Sequence, residues 1–226
     1  MIRPTRCAGV VLAFACSTLW AAASLDNTAS WNGSDYLENF GIPNTQTYGQ
    51  VITVPSGVNQ LTSFTFLMQV PTTLAFRGEV YAWDGTKATG AAIYESLPTS
   101  TTNGAVFQSI TFTTGGVAVT PGQQYVIFVT SSRDNSGHSG VGRLGATYTD
   151  TLSGGAFVYE NNGTDPTQWT GSTWNTFAAN DLVVQVAFGN AVVAAPAGAP
   201  ALSTWATLVL ACGVMGLAAR GLVRAA

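Results

Sequence analysis

The stretch Arg77-Gly78-Glu79-Val80-Tyr81-Ala82-Trp83-Asp84-Gly85 has a period of two. Arg77, Glu79, Tyr81 and Trp83 alternate with Gly78, Val80 and Ala82, so in an extended chain the two sets point to opposite faces. Asp84-Gly85 then supplies a tight turn. The period recurs on both sides. Residues 61–70 put Leu61, Phe64, Phe66, Met68 and Val70 largely on one face, with Thr62, Thr65 and Gln69 among them. Residues 107–113 alternate Phe107, Ser109, Thr111 and Thr113 with Gln108, Ile110 and Phe112. Residues 124–130 are rich in Tyr, Val, Ile and Phe and predict a strand buried on both faces. Residues 50–54, 91–97, 156–160 and 182–188 complete eight predicted strands, separated by turn residues such as Pro55-Ser56-Gly57, Pro98 and Pro121-Gly122. No amphipathic helix and no internal repeat stands out. The expected fold is all-β, an antiparallel β-sandwich, most simply a jelly roll. Three connections read as long loops: 24–47 with Trp31, Tyr36 and Phe40; 131–153, rich in Gly, Ser and Asp; and 161–181 with Trp169 and Trp174.

Both ends of the chain read as targeting segments. Arg3 and Arg6 precede an apolar run from Cys7 to Leu19, and Ala21-Ala22-Ala23 supplies small residues ahead of Ser24. Residues 1–23 therefore read as a signal peptide that signal peptidase cuts before Ser24. Lipoprotein processing at Cys16 is a rival reading, and the bulky Phe14 before it fits poorly. At the other end, residues 202–219 carry no charge. As a helix they would reach ~27 Å, close to the ~30 Å of a bilayer core. Trp205 lies near one end of this predicted transmembrane helix, and Arg220 and Arg224 form a basic tail at the other. That polarity predicts the body outside and the tail inside. Residues 190–199, rich in Ala, Val and Pro, read as a short linker between a body of residues 24–189 and this tail.

Pro200, Leu202, Ser203 and Trp205, followed by the apolar run and the basic end, resemble the IPTL-CTERM protein-sorting signals. Ala199, Ala201 and Ala206 stand where that family usually has Ile, Thr and Gly. The resemblance implies recognition by an exosortase-type membrane enzyme, cleavage near the motif, and delivery to the cell surface or the extracellular space. A plain C-terminal membrane anchor is the simpler alternative. Within the body, Thr47-Tyr48-Gly49-Gln50, residues 61–67 and Val80-Tyr81-Ala82-Trp83-Asp84-Gly85 look like the small all-β ectodomains found ahead of such tails.

Cys7 and Cys16 lie in the signal segment and Cys212 in the tail, so the body has no cysteine and no disulfide or thiol chemistry. Arg77, Lys87, Arg133 and Arg143 are its only basic residues against all eleven acidic ones, a net charge of −7. An acidic body without a basic patch excludes nucleic acid as a partner, because that affinity rests on Lys and Arg neutralising phosphates.

Catalytic patterns are sparse. His138, the only histidine, sits in Ser136-Gly137-His138-Ser139-Gly140, which is not a nucleophile elbow. One His without Cys makes no zinc site. Glu79, Asp84, Glu95 and Glu160 could supply a glycosidase carboxylate pair, but their spacing selects none. Asp134-Asn135-Ser136 and Asn161-Asn162-Gly163-Thr164-Asp165 offer oxygen ligands for Ca²⁺, although the same residues dominate turns for conformational reasons. No other cofactor is expected, and no catalytic residue is assigned. Trp169 and Trp174, with Asn161, Asp165, Asn162 and Gln168 nearby, could form a platform for extracellular polysaccharide. The competing reading is that both rings fold inward and cap the core. The function expected is that of an exported, surface-associated, non-catalytic binding protein. A secreted carbohydrate-active enzyme is the alternative.

Overall fold

The computed structural model describes residues 22–134 and 136–191. In chain order its strands are β1 (Ala23–Asp26), β2 (Tyr36–Ile42), β3 (Thr47–Thr53), β4 (Gln60–Gln69), β5 (Arg77–Trp83), β6 (Ala88–Glu95) and β7 (Gln108–Ala118). Then follow β8 (Gln124–Thr130), β9 (Gly140–Thr147), β10 (Ala156–Glu160), a single helical turn α1 (Gln168–Gly171), β11 (Asn175–Phe177), β12 (Asp181–Leu182) and β13 (Val184–Gly189). Every named pairing between these strands is antiparallel. One sheet runs β1-β13-β4-β9-β12, with β7 beside β4 and β2 beside β9. The second runs β11-β10-β3-β8-β5-β6. The all-β expectation holds. No helix of the described residues is long and apolar enough to cross a membrane, and the sorting motif, the predicted membrane helix and almost all of the signal segment lie outside those residues.

The two sheets share one core. Phe64, Phe66 and Met68 of β4 and Val184, Val186 and Phe188 of β13 meet Ile52, Val80, Ile127, Val129 and Phe157 from the opposite sheet. The alternation of β4 slips between Leu61 and Phe64 because the β4–β7 register shifts between Leu61 and Ser63. The intervening Thr62 turns its hydroxyl to the Ala187 carbonyl at 2.9 Å. Such a bulge explains why the apolar set changes from odd to even numbers along one strand. On β5, Gly78 lies against the Phe112 ring, where an added Cβ would stand 2.5 Å from a ring carbon.

A buried polar network also ties the sheets. Gln50 of β3 donates to the Asp181 carboxylate at 2.7 Å and accepts from the Leu182 amide at 2.9 Å. The other oxygen of Asp181 takes the Thr151 and Leu152 amides at 2.6 and 2.8 Å. Asn27 mimics a strand, accepting from the Val184 amide at 2.8 Å and donating to the Leu182 carbonyl at 3.0 Å.

Three of the expectations need correction. Residues 24–47 are not a loop: they hold β1 and β2 and lead directly into β3. Residues 131–153 contain β9. Its glycines read as loop, yet they are there for packing: a Cβ on Gly142 would fall 2.2 Å from a Val70 methyl, and one on Gly145 would fall 3.2 Å from Leu67 Cβ. Residues 161–181 hold α1, on the outer face of the second sheet, and β11, which extends that sheet beyond β10. Trp169 and Trp174 there join Val51, Tyr81, Val126, Phe128 and Val158 in a separate apolar cluster. That cover is why β8 is buried on both faces, as its composition predicts.

Candidate functional site

The two tryptophans are interior. Trp169 is fully buried and donates its indole N–H to Thr47 Oγ1 at 3.1 Å; Trp174 is 4% exposed and donates to the Trp169 carbonyl at 2.8 Å. A large aromatic ring whose one polar atom finds a protein partner is most stable buried. Neither ring presents a face to solvent, so the carbohydrate platform expected at Trp169 and Trp174 is replaced by the core-cap arrangement. Asp165 closes a turn, accepting the Thr167 amide at 2.9 Å and its hydroxyl at 2.6 Å. These bonds hold its carboxyl below the usual range. Buried Asn162 bonds Thr47 and the Asp165 carbonyl. Of the expected contact residues, Asn161 and Asp165 are exposed, and Asn161 lines an open surface.

That surface is a groove of about 600 Å³ between the edges of the two sheets. Such a volume lies within the range of small-ligand sites. From one side come Tyr36, Glu38 and Asn39 of β2 with Tyr148 just beyond β9; from the other come Phe157 and Tyr159 of β10, Phe177 of β11, and Asn161. Period two puts Phe157 and Tyr159 on one face of β10, and the β10–β11 register sets Phe177 opposite Phe157. The three rings lie nearly parallel, at centroid separations of 5.7 to 6.0 Å and interplanar angles of 7 to 15°. Tyr148 and Phe177 are 53% and 49% exposed, among the largest apolar exposures of the described residues.

The polar groups of the groove are held as firmly as its rings. The β2–β9 register shifts between Glu38 and Phe40, and the extra residue, Asn39, adopts a left-handed φ of 77°. Asn tolerates that conformation better than most side chains, and the bulge places Asn39 on the groove wall. Tyr48 donates its hydroxyl to the Glu38 carbonyl. Burial pushes its ionisation up to about 12, so it stays neutral. Tyr148 donates to the Tyr36 carbonyl at 2.7 Å, which fixes its ring at the rim. Arg143 lies 4.1 Å over the Tyr36 ring with Nη2 3.6 Å from Glu38.

The candidate carboxylates separate into other roles. Asp84 caps its turn through the Thr86 and Lys87 amides at 2.8 and 2.9 Å. Glu160 is buried at the end of β10, where desolvation raises its carboxyl. Glu79 and Glu95 do face one another across β5 and β6. However, Glu79 is fully buried, and Arg133 closes over it at 3.0 Å and stacks 5.0 Å above Trp169. Arg77 holds Glu95 and, with two bonds, Asp134. Desolvation raises Glu79 to about 7 against the opposing pull of Arg133. This cluster is an ion-pair network with no open cleft at Glu79. His138 is exposed and lies 3.3 Å from the Thr73 carbonyl. No group of three or more metal-ligating side chains occurs among the described residues.

A cleft of about 400 Å³ beside Trp83, Thr86 and Gly155 is the nearest competitor among the described pockets. Its second aromatic is Trp174, which is buried and edge-on to Trp83 at 86°. The groove therefore offers the accessible ring faces.

No family model and no curated protein matches the chain. Among solved structures it is similar to a clostridial cysteine protease, Cwp84, after propeptide cleavage. That match has 12% identity and a TM-score of 0.44, and covers 74% of this chain and 40% of the other. A second is the cysteine protease and lectin-like domains of Cwp84, described as a surface layer associated protein of Clostridium difficile. It has 12% identity and a TM-score of 0.41, covering 65% of this chain and 32% of the other. The chain spans less than half the length of either protein.

Proposed function

We propose that this protein is an exported, surface-held, jelly-roll-like β-sandwich that binds extracellular polysaccharide, without catalysis, through the groove between β2 and β10–β11. The observation that carries this reading is the ladder Phe157–Tyr159–Phe177 with exposed Tyr148 opposite. The exposed faces of Phe177 and Tyr148, beside half-buried Tyr159, stack on the apolar faces of sugars, and Asn39, Asn161 and Glu38 along the walls supply polar groups for hydroxyls. A glycosidase would need two reachable carboxylates, and Glu79 is sealed from solvent. The sorting part of the proposal rests on Pro200, Leu202, Ser203, Trp205, Arg220 and Arg224.

Isothermal titration against a panel of soluble polysaccharides tests the groove. Binding by wild type, weakened about tenfold in Phe177→Ala and in Tyr148→Ala with a stability loss of no more than about 1 kcal/mol, is the expected result. Wild-type silence across the panel would remove the proposal. For sorting, replacing Arg220 and Arg224 together by Glu should impair surface delivery or change the mature mass.

A further inference from the structure

Period two puts openings on both faces of the β10–β11 edge. Phe157, Tyr159 and Phe177 line the groove, while Ala156, Val158 and Thr176 line the cleft of about 400 Å³ on the outer face. The walls of that cleft are fixed. The Trp174 amide donates to the Thr86 carbonyl at 3.0 Å, which ties the chain between α1 and β11 to the β5–β6 turn. On the floor, Gly155 lies so close to Val51 that an added Cβ would stand 2.4 Å from its carbonyl oxygen.

The hydrogen bonds around the cleft leave an imbalance. Trp31 donates its indole N–H to the Asp35 carbonyl at 2.7 Å, and Trp169 and Trp174 donate theirs inside the outer cluster. Trp83, half-buried in the cleft lining, is the one tryptophan among the described residues whose indole N–H meets no protein acceptor. The other polar side chains there have the opposite need. Thr86 donates its hydroxyl to Asp84 at 2.8 Å, Thr176 donates to the Phe157 carbonyl at 3.3 Å, and Gln124 donates its amide to the Gly154 carbonyl at 2.9 Å. The side-chain oxygens of all three keep room to accept. None of the side chains that line the cleft is charged.

We propose that this cleft is a second ligand site, separate from the groove, and that it takes one uncharged sugar residue. An indole N–H only donates, and the threonine and glutamine oxygens are left to accept. Hydroxyl groups answer both, because each can accept and donate. The apolar C–H face of a sugar ring matches the half-buried Trp83 ring and the valine floor of Val51 and Val158. The volume lies in the lower part of the roughly 300–1,000 Å³ range of small-ligand sites, enough for a single residue and not for a long chain. A uronate or an ammonium would give up hydration there without meeting a counter-charge in the lining, which sets the preference for neutral sugars. The site stands on its own residues and does not need the groove to bind.

The test is a proton–nitrogen correlation spectrum of the whole protein, titrated with the methyl glycosides of glucose, galactose, mannose and N-acetylglucosamine. The indole resonance that disappears in Trp83→Phe is the reporter. With at least one of these glycosides it should shift and saturate, while the Trp31 indole, already bonded to Asp35, stays in place. Methyl glucuronide should bind about tenfold more weakly than the best neutral probe. Trp83→Phe keeps a ring face and removes the donor, so saturation transfer to the best probe should report an affinity about fivefold lower in that variant. Absence of a saturable Trp83 shift across the glycosides, in a protein with a dispersed spectrum, would overturn the site. An equal response to glycerol, which has hydroxyls and no ring face, would overturn the sugar assignment. Equal affinity for methyl glucuronide would overturn the preference for neutral residues, and unchanged affinity in Trp83→Phe would overturn the role of the indole N–H. Trp83 lies outside the groove lining, so silence of this reporter and silence of the polysaccharide panel at the groove are separate results.

Discussion

Two aromatic clusters lie on opposite faces of the same sheet, and they have opposite fates. On the outer face, Trp169 and Trp174 pack on Tyr81, Phe128 and Val158 and are sealed by their own loop. On the inner face, where β10 and β11 reach the sheet edge, Tyr159 and Phe177 stack with buried Phe157 and keep part of their own surface in solvent. Both sets come from residues 157–177. What separates them is the partner each finds. The indole N–H groups of the tryptophans are satisfied inside, by Thr47 and by the Trp169 carbonyl. The ladder lies on a face that the opposite sheet covers only in part, since Phe177 remains 49% exposed. Ring count alone does not mark a binding surface. The difference is whether another element is available to cover the rings.

Truncating the cap gives the largest expected effect. Trp169→Ala should cost ~3–5 kcal/mol in chemical denaturation, with glycan affinity of the folded fraction unchanged. A variant that melts normally but loses glycan binding would reverse the roles of the two clusters. Next comes the carboxylate beneath the cap. Glu79 titrates at about 7 in the folded protein against an ordinary value of 4.5. The folded state therefore holds its proton more tightly than the unfolded chain does. The stability from this group is complete below about 4.5 and is lost as pH rises through about 7. Urea denaturation between those limits should show a decline on the order of 3 kcal/mol for wild type, and a flatter profile for Glu79→Gln. Equal slopes in the two proteins would assign the pH dependence to other groups.

The groove should respond in the opposite manner. Phe177→Ala should cost only about 1 kcal/mol of stability, the worth of its ring contacts. It should weaken glycan binding by about tenfold, measured by calorimetry. A large melting loss without an affinity loss would make the ladder a second core. The smallest change is expected from Arg143→Ala, below about 1 kcal/mol in thermal melts, because both partners of its ion pair are exposed.

Legibility in the sequence tracked local alternation. β5, β8 and β10 show it plainly, and their residues lie where period two puts them. β9 was hidden because Gly142 and Gly145 answer to Val70 and Leu67, neighbours about 75 positions away in the chain. β2 was hidden by the Asn39 bulge, which interrupts its alternation. The groove was hidden for a related reason. The single strand Phe157-Val158-Tyr159 announces two rings on one face, and Tyr36 is visible as an aromatic in a segment that reads as loop. Nothing local says that the β2–β9 and β10–β11 pairings bring Tyr36, Tyr148 and Phe177 to one seam.

By itself the sequence determined that the body is all-β, cysteine-free and acidic, because alternation and composition are properties of the chain read residue by residue. It also determined that Trp169 and Trp174 had to be either a platform or a cap. Choosing between those needed the tertiary structure, since burial depends on which distant surface, here Tyr81 and Phe128, lies beneath the ring. The same holds for Glu79 and Glu95. The sequence supplied two carboxylates 16 positions apart; only the β5–β6 register, with Arg133 arriving from another loop, turned them from a candidate catalytic pair into a closed ion-pair network.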